Sequence, residues 1–167
     1  MNNRKPLRIP KFDYTTPGAY FVTICTKNKE HLFGKIVKTD VGAALCGRPA
    51  KMVEKWLREL ENKYPTVTVD KYAIMPNHVH AIIFLAENVG GHAGPPLQNV
   101  VGWFKTMTTN EYIRGVKGGE YPLFRTSLWQ RSFYDHIIRT EAEYLEIWQY
   151  IDENPAHWAE DEYYISQ

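Results

Sequence analysis

Val67-Thr68-Val69-Asp70-Lys71-Tyr72-Ala73-Ile74-Met75-Pro76-Asn77-His78-Val79-His80-Ala81-Ile82-Ile83-Phe84-Leu85 is the stretch that decides the fold. Val67, Val69 and Tyr72 to Met75 read as one strand. Pro76-Asn77 supplies the turn, and the apolar run from His78 to Leu85 reads as the returning antiparallel strand. Side chains on a strand alternate faces, so His78 and His80 point the same way and both imidazoles can reach one point in space. Such a point can hold a metal ion.

Outward from this hairpin, Ala19 to Thr26 is rich in β-branched and aromatic residues and predicts a strand. Lys27 to Glu30 offers a turn before Leu32 to Val37, so a hairpin between these two runs is expected. Gly42 to Pro49 reads as a loop. Val53, Trp56, Leu57, Leu60 and Tyr64 recur at helical spacing up to Pro65. Residues 86–96, with Gly90-Gly91 and Pro95-Pro96, read as a connection. A second helix is expected over Leu97 to Tyr112 with Val100, Val101, Phe104 and Met107 inward, and Gly115 to Pro122 as loop. The last helix, 141–153, has the sharpest limits. Thr140 to Glu143 matches a capping box, and Pro155 disfavours helical geometry at Asn154. This order predicts an α+β fold, a ferredoxin-like sandwich with a mostly antiparallel sheet, helices on one face and a C-terminal helix.

The length of 167 residues suits one domain, 1–167. Its 20 Lys and Arg nearly cancel 19 Asp and Glu, which leaves no global sign of nucleic-acid binding, although a local basic patch remains open. No window approaches the roughly 18 apolar residues of a membrane span. No apolar segment follows the basic Met1 to Pro6 to make a secretory leader. Cys25 and Cys46 lack metal-type spacing and read as reduced thiols, so a cytoplasmic location without membrane contact is expected. Residues 1–18 read as a basic arm in which Arg4, Lys5 and Arg8 are interleaved with prolines.

Two imidazoles do not complete a site for Mg²⁺, Mn²⁺ or Zn²⁺. Tyr150 and Asn154 stand at i and i+4 on the last helix, which would set a phenol beside an amide oxygen. A phenol ionises near pH 10 and is a poor nucleophile unless its electrophile is activated. A divalent cation on a phosphodiester would provide that activation and leave Tyr150 attached to one end of a cleaved strand. The bond energy would be conserved, so a free 3′-OH could rejoin the ends without ATP, in keeping with the lack of a Walker-type loop. Against this, Tyr150 can equally be a half-buried core aromatic, and Tyr134, beside Asp135 and His136, is an alternative nucleophile. Asn154 can simply end the helix.

Four motifs in order carry a resemblance over residues 4–158. They are Phe12-Asp13-Tyr14 with Gly18 to Thr23; Met75 to His80; Trp129 to Arg139; and Tyr150 to Pro155. Together they resemble the REP-associated tyrosine transposases, single-tyrosine HUH transposases of the insertion-sequence type. The resemblance implies a metal-dependent nuclease and strand transferase that acts on single-stranded or hairpin DNA through a 5′-phosphotyrosine. It implies His78, His80 and Asn154 as ligands of Mg²⁺ or Mn²⁺, Tyr150 as nucleophile and a monomer or homodimer. His136 belongs to a family motif without an assigned role.

For DNA contact the candidates are Arg4, Lys5, Arg8, Lys105 and Arg131, each of which also reads as ordinary surface charge. Two other functions compete. A histidine-triad nucleotide hydrolase would need a third alternating histidine, where this chain has Ile82. A hairpin-binding module without turnover would keep the same residues.

Overall fold

The hairpin around Pro76-Asn77 forms the spine of the fold. In a computed structural model that describes residue 13 and residues 15–40, 42–87 and 94–166, strand β4 (Val67–Met75) turns at 76–77 into β5 (His78–Leu85). The other strands are β1 (Gly18–Cys25), β2 (Lys35–Thr39), β3 (Gly42–Cys46) and β6 (Tyr134–Ile138). The helices are α1 (Arg48–Lys63), α2 (Leu97–Lys117) and α3 (Glu141–Glu153).

Four strands form one antiparallel sheet in the order β4-β5-β1-β6. β1 and β4 both run against β5, so they are parallel to each other and α1 makes the crossover. The same holds for β5 and β6 around β1, with α2 crossing. This is the expected α+β ferredoxin-like arrangement.

Alternation sorts the strands into two faces. Tyr20, Val22 and Ile24 of β1 join Val79, Ala81, Ile83 and Leu85 of β5 in the main core. Met52, Val53, Leu57 and Leu60 of α1 and Val100, Val101 and Phe104 of α2 cover them. Leu57 and Phe104 are fully buried, and each contributes roughly 1.5–3 kcal/mol from removal of apolar surface from water. Met107 is only partly buried, and Thr108 takes the inward position. α3 lies on the opposite face, where Ile151 packs with Ala73, Met75 and Ile82.

The expected hairpin between β1 and residues 32–37 does not form, because β1 is claimed on both sides by β5 and β6. β2 pairs instead with β3, inside the segment read as a loop. Gly-Ala-Ala-Leu-Cys has weak strand propensity, and the hairpin closes because Gly34 and Gly47 let two backbones touch. A Cβ on Gly34 would lie 2.3 Å from the Cys46 carbonyl oxygen. α1 begins at Arg48, earlier than the apolar spacing suggests, since Pro49 is tolerated in a first turn. α2 continues beyond Gly115 to Lys117, because the missing Cβ there seats the Tyr121 ring, 2.3 Å from where that atom would be.

Candidate active site

One row across the second face of the sheet carries the chemistry. His80 pairs in register with Ala73 on one side and Thr23 on the other, and Thr23 pairs with Tyr134 of β6. His78 and His80 are buried, with their Nε2 atoms 3.0 Å apart. His78 Nδ1 lies 2.8 Å from Asn77 Oδ1. An amide oxygen only accepts, so Nδ1 carries the hydrogen and Nε2 keeps its lone pair. His80 Nδ1 lies 2.8 Å from Thr23 Oγ1. Burial, aided by the Lys29 charge, pushes His78 down to about 3. Burial, then the neighbouring His78, holds His80 well below the usual histidine range despite Asp161. Both rings are therefore neutral, the state that binds metals.

α3 brings the phenol. Thr140 Oγ1 accepts the Glu143 N–H at 3.2 Å, half of the expected capping box. The other half is altered: Glu143 accepts the Arg139 N–H through Oε2 at 2.7 Å and meets His136 Nε2 through Oε1 at 2.5 Å. His136 thereby ties β6 to the start of α3. Further along, Tyr144 Oη donates to Asp70 at 2.6 Å, and Lys71 bonds Asp152 at 2.5 Å with its ammonium 3.7 Å from the Trp148 ring centroid.

Held this way, Tyr150 Oη lies 3.4 Å from His80 Nε2, and its ring meets Phe21 edge-on. The hydroxyl is pushed up to about 12, first by burial and then by the Asp161 and Glu162 carboxylates, against the Asn154 amide. Asn154 is 4% exposed. Its Nδ2 donates to Asp161 Oδ2 at 2.7 Å, and its buried Oδ1 has no hydrogen-bond partner among the described residues. Asn154 keeps helical dihedrals (φ −53°, ψ −43°), contrary to the pre-proline expectation. α3 ends because Pro155 has no N–H to extend the ladder.

The segment after α3 supplies residues that the sequence reading missed. Asp161 Oδ2 lies 3.9 Å from His78 Nε2, and the ligand atoms of His78, His80 and Asp161 fall within 4.8 Å of one another. Tyr163 lies tilted against His78 and edge-on to His80, at 4.7 and 5.8 Å between ring centroids. In sequence, Glu160-Asp161-Glu162 looks like a solvated acidic end, and no local period marks it. A cleft of about 670 Å³ opens here, lined by His80, Tyr134, Tyr150, Asn154, Asp161 and Tyr163 among others.

The family model described as "Transposase IS200 like" matches residues 16–154. The chain belongs to the IS200-like transposases. A Haemophilus influenzae protein called only "Uncharacterized protein" is 35% identical over 174 positions, covering 99% of this chain and 95% of the relative. A second protein of that species, whose name places it provisionally among the REP-associated tyrosine transposases, is 24% identical over 86% of this chain and 73% of its own length.

Two solved structures share the fold. A REP-associated tyrosine transposase bound to a REP hairpin has a TM-score of 0.59 at 19% identity, over 89% of this chain and 72% of that one. A provisionally named Deinococcus radiodurans transposase has a TM-score of 0.53 at 17% identity, over 89% and 99%. As an IS200-like transposase, this protein is a DNA nicking and joining enzyme. Among the described residues no helix is long and apolar enough to cross a membrane.

Not every residue singled out in the transposase sequence reaches the cleft. Tyr134 lines it from β6, 44% exposed, with its ring edge-on to Phe21. His136 lies outside the cleft lining, held by Glu143. Lys105 Nζ donates to the carbonyls of Gln130, Arg131 and Ser132 at 2.9, 3.3 and 3.1 Å and so holds the segment that leads into β6. Arg131 is exposed and away from the cleft lining. Arg4, Lys5 and Arg8 lie outside the described residues. Ile82, where a histidine triad would need its third imidazole, is fully buried under α3.

The donors present fit a divalent cation. Neighbouring ligands of an octahedral ion with bonds of about 2.1 Å stand roughly 3.0 Å apart, the separation of the two Nε2 atoms. The unpartnered Asn154 Oδ1 adds an oxygen donor. Two nitrogens with oxygens suit a borderline or hard ion better than a thiolate-seeking one.

Proposed function

We propose that this transposase is a metal-dependent endonuclease and strand transferase for single-stranded DNA at hairpin-forming repeats, with Tyr150 as the nucleophile and a 5′-phosphotyrosine as the intermediate. The observation that carries this reading is the 3.4 Å approach of Tyr150 Oη to His80 Nε2 across a cleft large enough for a nucleotide.

In this reading Tyr150 Oη attacks the phosphorus, a Tyr–O–P bond forms, and the P–O3′ bond breaks. The phenol proton passes to water in the cleft, and the departing 3′ oxygen takes up a proton from solvent. His78, His80 and the Asn154 oxygen would hold Mg²⁺ or Mn²⁺, which when bound polarises the phosphodiester. Asn77 and Thr23 orient the two imidazoles. Phe21 and the ties of α3 keep the phenol in line, which lowers the entropic cost of attack. Rejoining reverses the step with an incoming 3′-OH.

The whole chain acts as one domain in the cytoplasm, as monomer or homodimer. Its arm residues Arg4, Lys5 and Arg8, together with Arg131, serve the hairpin and its flanks. Incubation with labelled single-stranded DNA bearing an imperfect hairpin, with Mn²⁺ or Mg²⁺, should give a covalent protein–DNA adduct on a denaturing gel. Absence of any metal-dependent adduct, with hairpin binding intact, would leave a binding module without turnover and defeat the proposal.

A further inference from the structure

We infer that Asp161, delivered by the segment after α3, is the anionic ligand of the metal site. This inference rests on the reading of His78 and His80 as metal ligands. Those two imidazoles and the Asn154 amide are all neutral donors, a weak set for Mg²⁺ or Mn²⁺, which favour carboxylate oxygens.

Asp161 supplies what the set lacks. Its side chain is 1% exposed. Both oxygens accept N–H groups: Oδ2 from Asn154 Nδ2 at 2.7 Å and Oδ1 from the Tyr163 backbone at 2.6 Å. Among the described residues no Lys or Arg forms an ion pair with it, and its Oδ2 lies 3.9 Å from His78 Nε2. A buried acidic group without a cation is costly, and this one faces the lone pair of His78 Nε2. A divalent cation among His78, His80 and Asp161 answers both deficits at once.

The segment is built into the site. Asn77 Nδ2 donates to the Tyr163 carbonyl at 2.8 Å and to that of Lys29 at 3.1 Å, while Asn77 Oδ1 orients His78. Lys29 Nζ donates to the Glu162 carbonyl at 3.1 Å. One side chain therefore sets the tautomer of the first ligand and the position of the segment that bears Asp161. Asn154 Nδ2 fixes the rotamer of the carboxylate.

The test is Mn²⁺ binding to the full chain without DNA, followed by loss of the free-ion electron paramagnetic resonance signal. Asp161→Asn, which keeps the shape, should weaken binding by about 100-fold or more, and Asp161→Ser should do the same. Asn154→Ala, which removes a neutral oxygen donor and leaves the carboxylate in place, should cost less, about 10-fold. Circular dichroism checks that each variant is folded. On the native chain, substoichiometric Mn²⁺ should erase the nuclear magnetic resonance signals of Asp161 and Tyr163 together with those of His78 and His80, a readout that needs no substitution. Asp161→Asn binding Mn²⁺ within about three-fold of the native chain, or persistence of the Asp161 signals, would overturn the assignment and leave the histidine site standing. A native chain that binds no Mn²⁺ at all would instead remove the metal reading beneath it.

Discussion

The hydroxyl of Tyr150 stands 3.4 Å from His80 Nε2, although the two residues are separated by β5, α2, β6 and most of α3. Two unrelated pieces of local structure meet there: a strand that aims an imidazole off its face, and a helix tethered by polar contacts at both ends. Tyr150 is 42% exposed, so its hydroxyl is open to a substrate that enters the cleft.

Replacing Tyr150 with Phe should remove the covalent DNA adduct completely and shift stability by no more than about 0.5 kcal/mol, as for a partly exposed hydroxyl. Tyr134→Phe, in the same cleft, should keep the adduct. A denaturing gel and urea midpoints measure both effects. An adduct that survives in Tyr150→Phe and vanishes in Tyr134→Phe would transfer the nucleophile to β6.

His78→Ala should abolish metal-dependent cleavage. It also strands the Asn77 oxygen in a buried site, at a cost of about 1–3 kcal/mol. Because the loss is local to the second face of the sheet, hairpin binding in a gel-shift assay should persist. Equal loss of binding and cleavage would point to a structural role for the ring.

Glu143 receives the Arg139 N–H and meets His136, and these contacts, backbone first, hold its carboxyl below the ordinary glutamate range of 4.5. A lowered folded value means that its stabilisation is present above the unfolded pKa and fades as pH falls through the folded one. Glu143→Gln should therefore lower the urea midpoint at pH 7, and the difference from the native chain should shrink at acid pH. A difference that grows on acidification would contradict the assigned contacts.

Lys105 separates two roles cleanly. With its ammonium on three carbonyls, Lys105→Met should destabilise the fold by about 1 kcal/mol, since a charged donor to partly exposed carbonyls is lost. The salt dependence of DNA binding should not change. Were Lys105 a phosphate contact, the slope of log affinity against log salt would fall by roughly 0.7–0.9.

Much of this protein is written in short-range pattern. The turn at Pro76-Asn77, the shared face of His78 and His80 and the start of α3 at Thr140 follow from residues within a few positions of one another. Periodicity and capping are local properties of the backbone, so the sequence alone determined them. Where two patterns compete, local reading fails: β2 faces β3 because the neighbours of β1 are taken, and α2 runs past Gly115 because Tyr121 fills the missing Cβ.

The tertiary structure alone decided that Thr23 and Asn77 orient the imidazoles, that His136 ties β6 to α3 and that Asp161 reaches the histidine pair. Thr23 to His80 and Asp161 to His78 each close a long loop between distant segments, whereas Asn77–His78 and His136–Glu143 join near neighbours whose rotamers only the packing around them selects. The entropic cost of closure rises only slowly with loop length, so chain distance barely selects among partners. Strand order and the packing of α3 across the sheet make that selection, and neither leaves a period in the residues that it joins.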